Sequence, residues 1–320
     1  MELPEVDPGA TADDTAGDDT AGDDTAGDDT AGDDTDAAGD CPTETDDSAG
    51  PRHLSPSSAA MFRQCPQRWK FRYVDKLADP PGEAAVAGTF AHRVLEDLLG
   101  LDPDERTLES ARSLAAQAWA ETTAEEDFAS LDLDDDGVRN FKWTAWRAIE
   151  GLWDLEDPKT VDIVATETEV SVEIGGVPFV GYIDRVETGP DGLVVSDYKS
   201  GRAPGRRFAE ARLEQVLLYA AALAEIHGTP PVRARLMYLG QRIDETAVTA
   251  ERIAEVTRRL VETWRELQER SAADDFPPQP GPLCGWCAYV QHCPEGLAEV
   301  ERRHLAGTLK PDAPALATAV

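Results

Sequence analysis

The chain contains a stretch that reads VPFVGYIDRVE (177–187), TGPDG (188–192) and LVVSDYKSG (193–201), and this stretch decides the fold. The outer runs are rich in β-branched and aromatic residues and the middle run is a turn signal, which together predict a β-hairpin. Alternation along a strand places Asp197 and Lys199 on one face, and the turn brings Asp184 back to that face. Two carboxylates beside an amine form either a surface ion pair or a site where a divalent cation and a lysine activate water.

Lysine is a rare residue in this chain, occurring six times against 24 arginines. Lys199 ends an apolar strand, between VVSDY and SG, instead of lying in a polar surface segment. This placement adds weight to the functional interpretation, while the hairpin taken alone still favours an ion pair.

Helical and strand patterns follow one another along the rest of the chain. The predicted segments are helices at 54–77, 86–100 and 105–155, strands at 161–174, 177–187 and 193–200, a helix at 208–228, a strand at 232–240 and a helix at 249–272. This order predicts an α/β fold with a mixed central sheet flanked by helices. An N-terminal helical region and a C-terminal cysteine segment frame that core.

The first fifty residues differ from the rest of the chain in composition. The unit TAGDD repeats four times from Thr15, and residues 1–50 contain 18 acidic side chains and no lysine or arginine. Such a segment buries too little apolar area to offset its ordering entropy, so we predict a disordered acidic tail over 1–52. One folded domain is expected at 53–298, followed by a flexible C-terminal tail at 299–320.

Charge and hydropathy limit the possible partners. Residues 51–320 carry 45 acidic and 30 basic side chains, so a nucleic-acid partner requires a local basic surface. Two clusters either supply such a surface or are solvated helix faces: Arg63, Arg68, Lys70 and Arg72, and Arg202, Arg206 and Arg207. No run approaches eighteen apolar residues and no signal peptide is recognisable, so we expect a cytoplasmic protein in which structural disulfides are unusual.

Several polar residues near the hairpin are candidates for the same site. His92, in GTFAHRVLEDLL, is a capping or core residue unless its helix packs over the strand end that carries the two aspartates. Glu167 and Glu169 share a face of the preceding strand, and either one supplies a further carboxylate or both face solvent. Gln215 and Tyr219, at i and i+4, lie on one helix face and either orient a substrate phosphate or are ordinary helix decoration.

The cysteines form a more specific pattern. Cys284, Cys287 and Cys293 have the spacing C-x2-C-x5-C, and Cys65 lies far upstream in RQCPQRW. Thiolates at this spacing bind a soft metal or an iron–sulfur cluster, with Cys65 as the fourth ligand; otherwise they are unconnected buried thiols. Spacing alone does not distinguish zinc from a [4Fe-4S] cluster. Cys41 lies in the acidic segment and is left out of the set.

Taken in order, these motifs resemble the PD-(D/E)XK nuclease superfamily in its RecB-type exonuclease branch. GTFAHRVLEDLL resembles the helix that carries the metal-ligand histidine of that branch, and GYIDRVE with SDYKSG resembles its Asp and Asp-x-Lys motifs. EQVLLY is similar to its Gln-x-x-x-Tyr motif, and the cysteine frame is similar to that of the AddB nuclease domain and of CRISPR-associated adaptation nucleases. The resemblance covers roughly residues 54–296 and implies a restriction-endonuclease-like core.

The resemblance also implies a role for each matching residue. The implied side-chain ligands of Mg²⁺ or Mn²⁺ are His92, Asp184 and Asp197, with the backbone carbonyl of Tyr198 nearby. Lys199 is the implied group that positions the attacking water and stabilises charge on the phosphate. Substrate positioning is implied for Gln215 and Tyr219, and cluster binding for Cys65, Cys284, Cys287 and Cys293.

The function implied by the resemblance is a metal-dependent DNA exonuclease with a structural [4Fe-4S] cluster, acting in DNA repair or recombination. The alternatives are a non-catalytic DNA-binding or scaffold module of the same fold, and a nuclease with structural zinc in place of the cluster. The sequence lacks the G-x-x-x-x-G-K-[ST] phosphate loop of a helicase motor. We therefore expect single-stranded or open-ended DNA as substrate, or a separate helicase subunit as partner.

Overall fold

A five-stranded mixed sheet lies at the centre of residues 51–319, the part of the chain that the computed structural model describes. Its strands are β1 (Asp162–Ile174), β2 (Val177–Gly189), β3 (Gly192–Lys199), β4 (Arg233–Tyr238) and β5 (Arg242–Ala247). They lie in the order β1-β2-β3-β4-β5, and only the β3–β4 pair is parallel. The prediction of an α/β fold with a mixed sheet is confirmed, and β5 is a strand that the sequence patterns did not predict.

The β2–β3 hairpin forms where the opening stretch predicts it, and both strands extend further into TGPDG than expected. Arg185 pairs with Ser196, and Gly189 pairs with Gly192 beside a two-residue turn. Because antiparallel partners step in opposite directions, Asp184 lies across from Asp197, one position beyond the Arg185–Ser196 pair. The hairpin therefore brings the two carboxylates to neighbouring positions on adjacent strands.

Helices cover both faces of the sheet. Before the sheet come α1 (Pro56–Gln64), α2 (Pro66–Tyr73), α3 (Glu83–Leu99), α4 (Leu108–Thr122), α5 (Glu126–Ser130) and α6 (Asp135–Glu150); α7 (Arg206–Arg212) and α8 (Glu214–His227) connect β3 to β4. After β5 come α9 (Ala250–Ala273), α10 (Pro294–Leu305) and α11 (Leu316–Ala319). The helices predicted at 54–77, 105–155 and 208–228 are each broken into shorter ones. None of the helices within residues 51–319 is long and apolar enough to cross a membrane.

Two hydrophobic cores hold these layers together. One core joins the sheet to α1, α8 and α9 and contains Val195 of β3 and Tyr238 of β4. The other joins the sheet to α3, α4 and α6 and contains Tyr198 and Met237, the alternate residues of the same strands. The sheet is therefore buried on both sides, as a parallel pair of central strands requires.

The C-terminal segment packs as part of the domain. A small apolar cluster joins Val290, Val300 and Ala315 to Cys284 and Cys287, and the Ala315 N–H donates to the carbonyl of Gly285. The predicted boundary at 298/299 falls inside α10, so the C-terminal part of the domain extends further than we expected. The acidic segment predicted over 1–52 lies outside the described residues up to position 50.

Candidate active site

A groove with a volume of about 440 Å³ opens where α1, α3 and α8 meet the strands. Its lining brings together six residues that the sequence motifs singled out far apart in the chain: His92, Asp184, Asp197, Lys199, Gln215 and Tyr219. Arg63, Arg93 and Arg212 also line it. The groove therefore combines carboxylates that can bind a cation with guanidinium groups suited to phosphates.

Asp197 is the most constrained side chain of the groove, with a residue exposure of 3%. Its Oδ2 lies 3.1 Å from the Lys199 Nζ, and its Oδ1 accepts a hydrogen bond of 2.9 Å from the Gln215 Nε2. The same Gln215 amide lies 3.4 Å from the Tyr219 hydroxyl. Gln215 and Tyr219 thus fix the orientation of an acidic side chain that faces the groove.

Asp184 lies beside Asp197 and is held from two directions. The backbone N–H of Tyr198 donates to its Oδ2 at 2.5 Å. The His92 Nδ1 lies 3.7 Å from the same oxygen, so α3 does pack over the strands as the histidine motif required. The His92 ring also contacts the Tyr198 ring edge-to-face, with centroids 5.9 Å apart.

A third carboxylate joins this group. Three potential ligand atoms, one each from His92, Glu167 and Asp184, lie within 4.8 Å of one another. Glu167 belongs to β1, whereas Glu169, two residues further along the strand, is exposed. Of the two alternatives that the sequence left open, the structure places Glu167 in the groove.

The electrostatics of the groove favour a bound cation. Burial raises the pKa of Asp197 to about 7, against the lowering effect of Lys199. Burial and the nearby carboxylates of Asp184 and Glu96 raise the pKa of Glu167 to about 8. Hard divalent cations prefer carboxylate oxygens as ligands, and a bound cation would offset the burial and mutual repulsion that raise these pKa values, so the carboxylates fit such a cation.

A glycine makes room for one of the site residues. A Cβ atom at Gly181 would lie 2.7 Å from the Tyr219 Cε1, closer than packed side chains allow. Gly181 lies three residues before Asp184 in GYIDRVE, so the same short segment of β2 supplies a metal-ligand candidate and the space for the Tyr219 ring.

Behind the groove, Arg185 occupies the opposite face of the sheet and is fully buried. Its guanidinium donates to both carboxylate oxygens of Glu156, to the Tyr198 hydroxyl at 2.9 Å, and contacts Glu187. Arg185 and Tyr198 directly follow Asp184 and Asp197 in sequence. The sequence motifs did not single out this group. Its signal in the sequence is an arginine within a mostly apolar strand, because a buried arginine needs acidic partners.

The four cysteines converge at a second place, between the start and the end of the domain. Cys65, Cys284, Cys287 and Cys293 line one small cavity of about 30 Å³. Backbone N–H groups of Gln279, Gly281 and Gly296 lie 3.3–3.4 Å from three of the sulfurs. Burial raises the pKa of the thiols of Cys284, Cys287 and Cys293. The cysteines are therefore grouped and surrounded by donors that favour metal-bound thiolates.

Three of the four basic residues in the first predicted cluster pair with acidic side chains. Arg63 pairs with Glu214 at 2.6 Å, Lys70 with Asp274 at 2.8 Å and Arg72 with Asp79 at 3.0 Å. Of this set, Arg63 alone lines the groove. Arg93 and Arg212, which the sequence analysis did not single out, are the other arginines there.

Comparison with known proteins identifies the family. The model of the PD-(D/E)XK nuclease superfamily matches residues 53–294, about three-quarters of the chain. The chain belongs to the PD-(D/E)XK nuclease superfamily. The matched range contains the positions of the predicted site residues, from Cys65 to Cys293, and their roles stay predictions.

Two phage proteins and one solved structure are similar to this PD-(D/E)XK chain over about three-quarters of its length. It is 26% identical over 292 residues to the Gene 69 protein of Mycobacterium phage L5, which covers 75% of this chain and 95% of that protein. The Gene 69 protein of Mycobacterium phage D29 is 26% identical over 267 residues, with 75% and 96% covered. A crystal structure from Eubacterium rectale, named "Putative exonuclease", aligns with a TM-score of 0.48 and 13% identity, covering 76% of this chain and 88% of that chain.

Proposed function

We propose that this protein is a DNA exonuclease that depends on Mg²⁺ or Mn²⁺. One observation carries the proposal: Asp184 and Asp197 lie side by side on a hairpin, with Lys199 3.1 Å from Asp197 and His92 3.7 Å from Asp184. A non-catalytic module of the same fold has no reason to keep an amine, an imidazole and two carboxylates together in one groove. Membership of a nuclease superfamily supports the same conclusion.

Each side chain of the groove has a task in the proposed hydrolysis. Asp184, Asp197 and His92 would hold the cation, which when bound lowers the pKa of a water and offsets charge on the phosphate. Lys199 holds the Asp197 carboxylate and presents its ammonium to the attacking water or to the developing negative charge. Gln215 keeps Asp197 oriented, and Tyr219 supports Gln215.

The groove also suits a nucleic-acid backbone. Its arginines, Arg63, Arg93 and Arg212, lie on three different helices around the carboxylates. Guanidinium groups bind phosphates in bidentate geometry, so they can position the strand on either side of the scissile bond. We propose open-ended or single-stranded DNA as substrate, with any duplex unwinding supplied by a separate helicase, and a role in repair or recombination.

We further propose that the four cysteines hold a [4Fe-4S] cluster, as in the AddB-like part of the RecB-type branch. Their placement supports this proposal, because the four side chains line one cavity and can supply the four thiolates that such a cluster needs. Structural zinc bound by the same four thiolates is the alternative, and metal analysis distinguishes the two.

The test of the nuclease proposal is an anaerobic assay with end-labelled linear DNA and covalently closed circular DNA, with metal analysis of the same sample. We expect Mn²⁺-dependent loss of the label from linear DNA, both single-stranded and duplex, and no cutting of the circle. Cutting of the circle would indicate an endonuclease. DNA binding without any cleavage would instead support the non-catalytic module.

Cys287→Ser is expected to lower the thermal midpoint by roughly 5 °C or more, corresponding to about 2 kcal/mol for a domain of this size. The reason is that the cysteines join α1–α2 to the C-terminal segment, so losing one ligand weakens a cross-link between distant parts of the chain. Differential scanning calorimetry of anaerobically purified protein measures the effect.

Cys41→Ser is the matched control for this variant, because Cys41 precedes the residues that match the family, and we expect the thermal midpoint of this control to equal that of the wild type. Iron and sulfide should be present in the wild type and reduced in Cys287→Ser. Stoichiometric zinc without iron would show that the cysteines bind zinc and not an iron–sulfur cluster. Equal midpoints of all three proteins would contradict a structural role for the cysteines.

A further inference from the structure

The outer side of α6 carries an exposed tryptophan among basic residues. The buried side of this helix consists of four apolar residues: Phe141, Ala145, Ala148 and Ile149. Because a helix completes a turn in 3.6 residues, Trp143 and Arg147 lie on the outer side and Lys142 lies at its edge. Trp143 is 55% exposed, although tryptophan side chains in folded proteins are highly buried on average.

The basic side chains of this region contact indole rings instead of carboxylates. Three of them lie over a ring, at these distances from its centroid: Lys142 over Trp119 at 4.2 Å, Arg112 over Trp146 at 5.0 Å and Arg147 over Trp143 at 6.0 Å. Within residues 51–319, none of these three cations forms an ion pair with an acidic group. The basic residues of α1 and α2 differ, because most of them are paired with acidic side chains. Cations without acidic partners keep a local positive potential in a chain that is acidic as a whole.

An exposed indole ring surrounded by cations suits single-stranded nucleic acid. The bases of a single strand stack on aromatic side chains, and lysine and arginine bind its phosphates, without a requirement for sequence. A docking surface for a protein would present a contiguous apolar patch. Trp143, however, is the one large hydrophobic side chain of α4 and α6 that is exposed. Charge and composition therefore favour a nucleic-acid strand over a protein as the occupant.

One helix separates this region from the groove. α3 carries His92 and Arg93, which line the groove, and its Phe90 contacts Phe141 on the buried side of α6, with ring centroids 6.3 Å apart. α4 is linked to the groove as well, because its Glu121 forms an ion pair with Arg93. A helix with its side chains is about 10–12 Å across. A strand whose end is bound in the groove therefore needs only a short further length to reach the outer side of α6.

We propose that Arg112, Lys142, Trp143 and Arg147 form a binding surface, here called the tryptophan surface, for single-stranded DNA that extends from the groove. The Trp143 ring stacks on a base, and the three cations contact neighbouring phosphates. This inference rests on the proposed function, which supplies the DNA strand, and adds a contact away from the point of hydrolysis. A contact of this kind keeps the strand bound while its end is degraded.

The test measures the binding of a fluorescein-labelled oligothymidylate to the full chain by fluorescence anisotropy, in EDTA so that the strand is not degraded. Trp143→Leu keeps an apolar side chain but removes the aromatic ring. We expect this variant to bind about tenfold more weakly, a loss typical of one base–aromatic stack. Trp143→Phe keeps a ring on which a base can stack, so its affinity should lie within about threefold of the wild-type affinity.

Arg147→Gln tests the electrostatic part of the proposal. The logarithm of the affinity falls linearly with the logarithm of the salt concentration, with a slope of about 0.7 for each phosphate contact to a single strand. The variant should therefore bind more weakly and with a slope smaller by about 0.7.

Arg265→Gln is the matched control for this charge. Arg265 is an exposed arginine of α9, which packs on the opposite face of the sheet from α6. Its affinity and its salt slope should equal those of the wild type. The thermal midpoints of all four variants should also equal that of the wild type, because every replaced side chain is exposed.

The outcomes separate this inference from the proposed function. Weaker binding in Trp143→Leu and Arg147→Gln, with Trp143→Phe and Arg265→Gln close to the wild type, supports the tryptophan surface. If Trp143→Leu binds as tightly as the wild type, if Trp143→Phe binds as weakly as Trp143→Leu, or if the wild type binds no oligothymidylate, the inference is overturned. If binding depends on Trp143 but the wild type degrades no DNA with Mn²⁺, the nuclease proposal fails and the surface remains a DNA-binding site.

Discussion

Asp197→Asn is expected to reduce Mn²⁺-dependent DNA degradation by about a thousandfold. The change removes the charge that faces Lys199 and the cation while keeping the size of the side chain and its hydrogen-bond acceptor for Gln215. Metal and lysine each contribute several kcal/mol of charge stabilisation in such reactions, and 1.4 kcal/mol corresponds to a factor of ten in rate. Initial rates of label release from linear DNA measure the loss.

The same variant is expected to keep its stability. Because burial raises the pKa of Asp197 to about 7, ionising this carboxyl costs folding free energy as the pH rises from its ordinary pKa to about 7, and the whole cost is present at pH 8. The neutral amide should therefore leave the thermal midpoint at pH 8 unchanged or raise it. This expectation distinguishes a functional carboxylate from a structural one, because removing the charge of a structural carboxylate would lower the thermal midpoint.

Asp191→Asn is the matched control for that experiment. Asp191 lies in the turn of the same hairpin, is exposed, and is remote from the groove lining. Both its degradation rate and its midpoint should equal those of the wild type. Full activity of Asp197→Asn would show that the Asp197 carboxylate is not needed for hydrolysis and would contradict the proposed active site.

The residues of the candidate site were more predictable from the sequence than the bounds and number of the helices and strands. Asp184, Asp197 and Lys199 were predictable because strand alternation and a short turn are local rules that tertiary packing here does not override. His92 needed more, namely a helix motif recognised by resemblance, since no local rule says that α3 packs over the strands. The order of helices and strands was predictable from the spacing of apolar residues along the chain, which is also a local rule.

The fifth strand was not predictable from apolar periodicity. Its sequence RIDETA contains one large aliphatic residue, Ile243, and the strand pairs with β4 through its backbone and through cross-strand ion pairs. Glu245 pairs with both Arg233 and Arg235. An edge strand held by cross-strand charges shows no alternation of apolar and polar residues, so the pattern that predicted β1–β4 had nothing to detect.

The break between the first two helices did have a local signal. Cys65 precedes Pro66, and a residue before proline is pushed out of the helical region. Its φ of −162° and ψ of 104° place it in extended conformation between α1 and α2. That kink turns the Cys65 side chain toward the cavity of the C-terminal cysteines, so the break in the helix and the assembly of the cysteine group have one cause.

Two polar layers lie back to back across the hairpin. Asp184 and Asp197 face the groove, and the residues that follow each of them, Arg185 and Tyr198, meet on the opposite face at 2.9 Å. Arg185 also holds Glu156 and Glu187, so the backbone that carries both aspartates is tied to a buried ion network. We infer that this network keeps the two carboxylates in place despite their mutual repulsion.

Arg185→Met is therefore expected to be among the most destabilising single changes in the domain, costing roughly 3–5 kcal/mol of unfolding free energy. Replacing a whole buried ion group by apolar residues is often harmless, but removing only this cation leaves Glu156 without its ion-pair partner and leaves Glu187 with Arg235 alone. Lysine cannot replace arginine here, because the guanidinium binds Glu156 through two nitrogens while also donating to Tyr198. Urea unfolding followed by tryptophan fluorescence measures the cost.

Arg258→Met is the matched control, since Arg258 also contacts two glutamates, Glu255 and Glu262, but on the exposed surface of α9. Solvent screens such pairs, so this variant should unfold at nearly the same urea concentration as the wild type. If both arginine variants unfold together with the wild type, the network behind the groove does not stabilise the hairpin. If Arg185→Met unfolds early and its remaining folded fraction also binds Mn²⁺ more weakly, the same buried arginine both stabilises the sheet and positions the metal ligands on its other face.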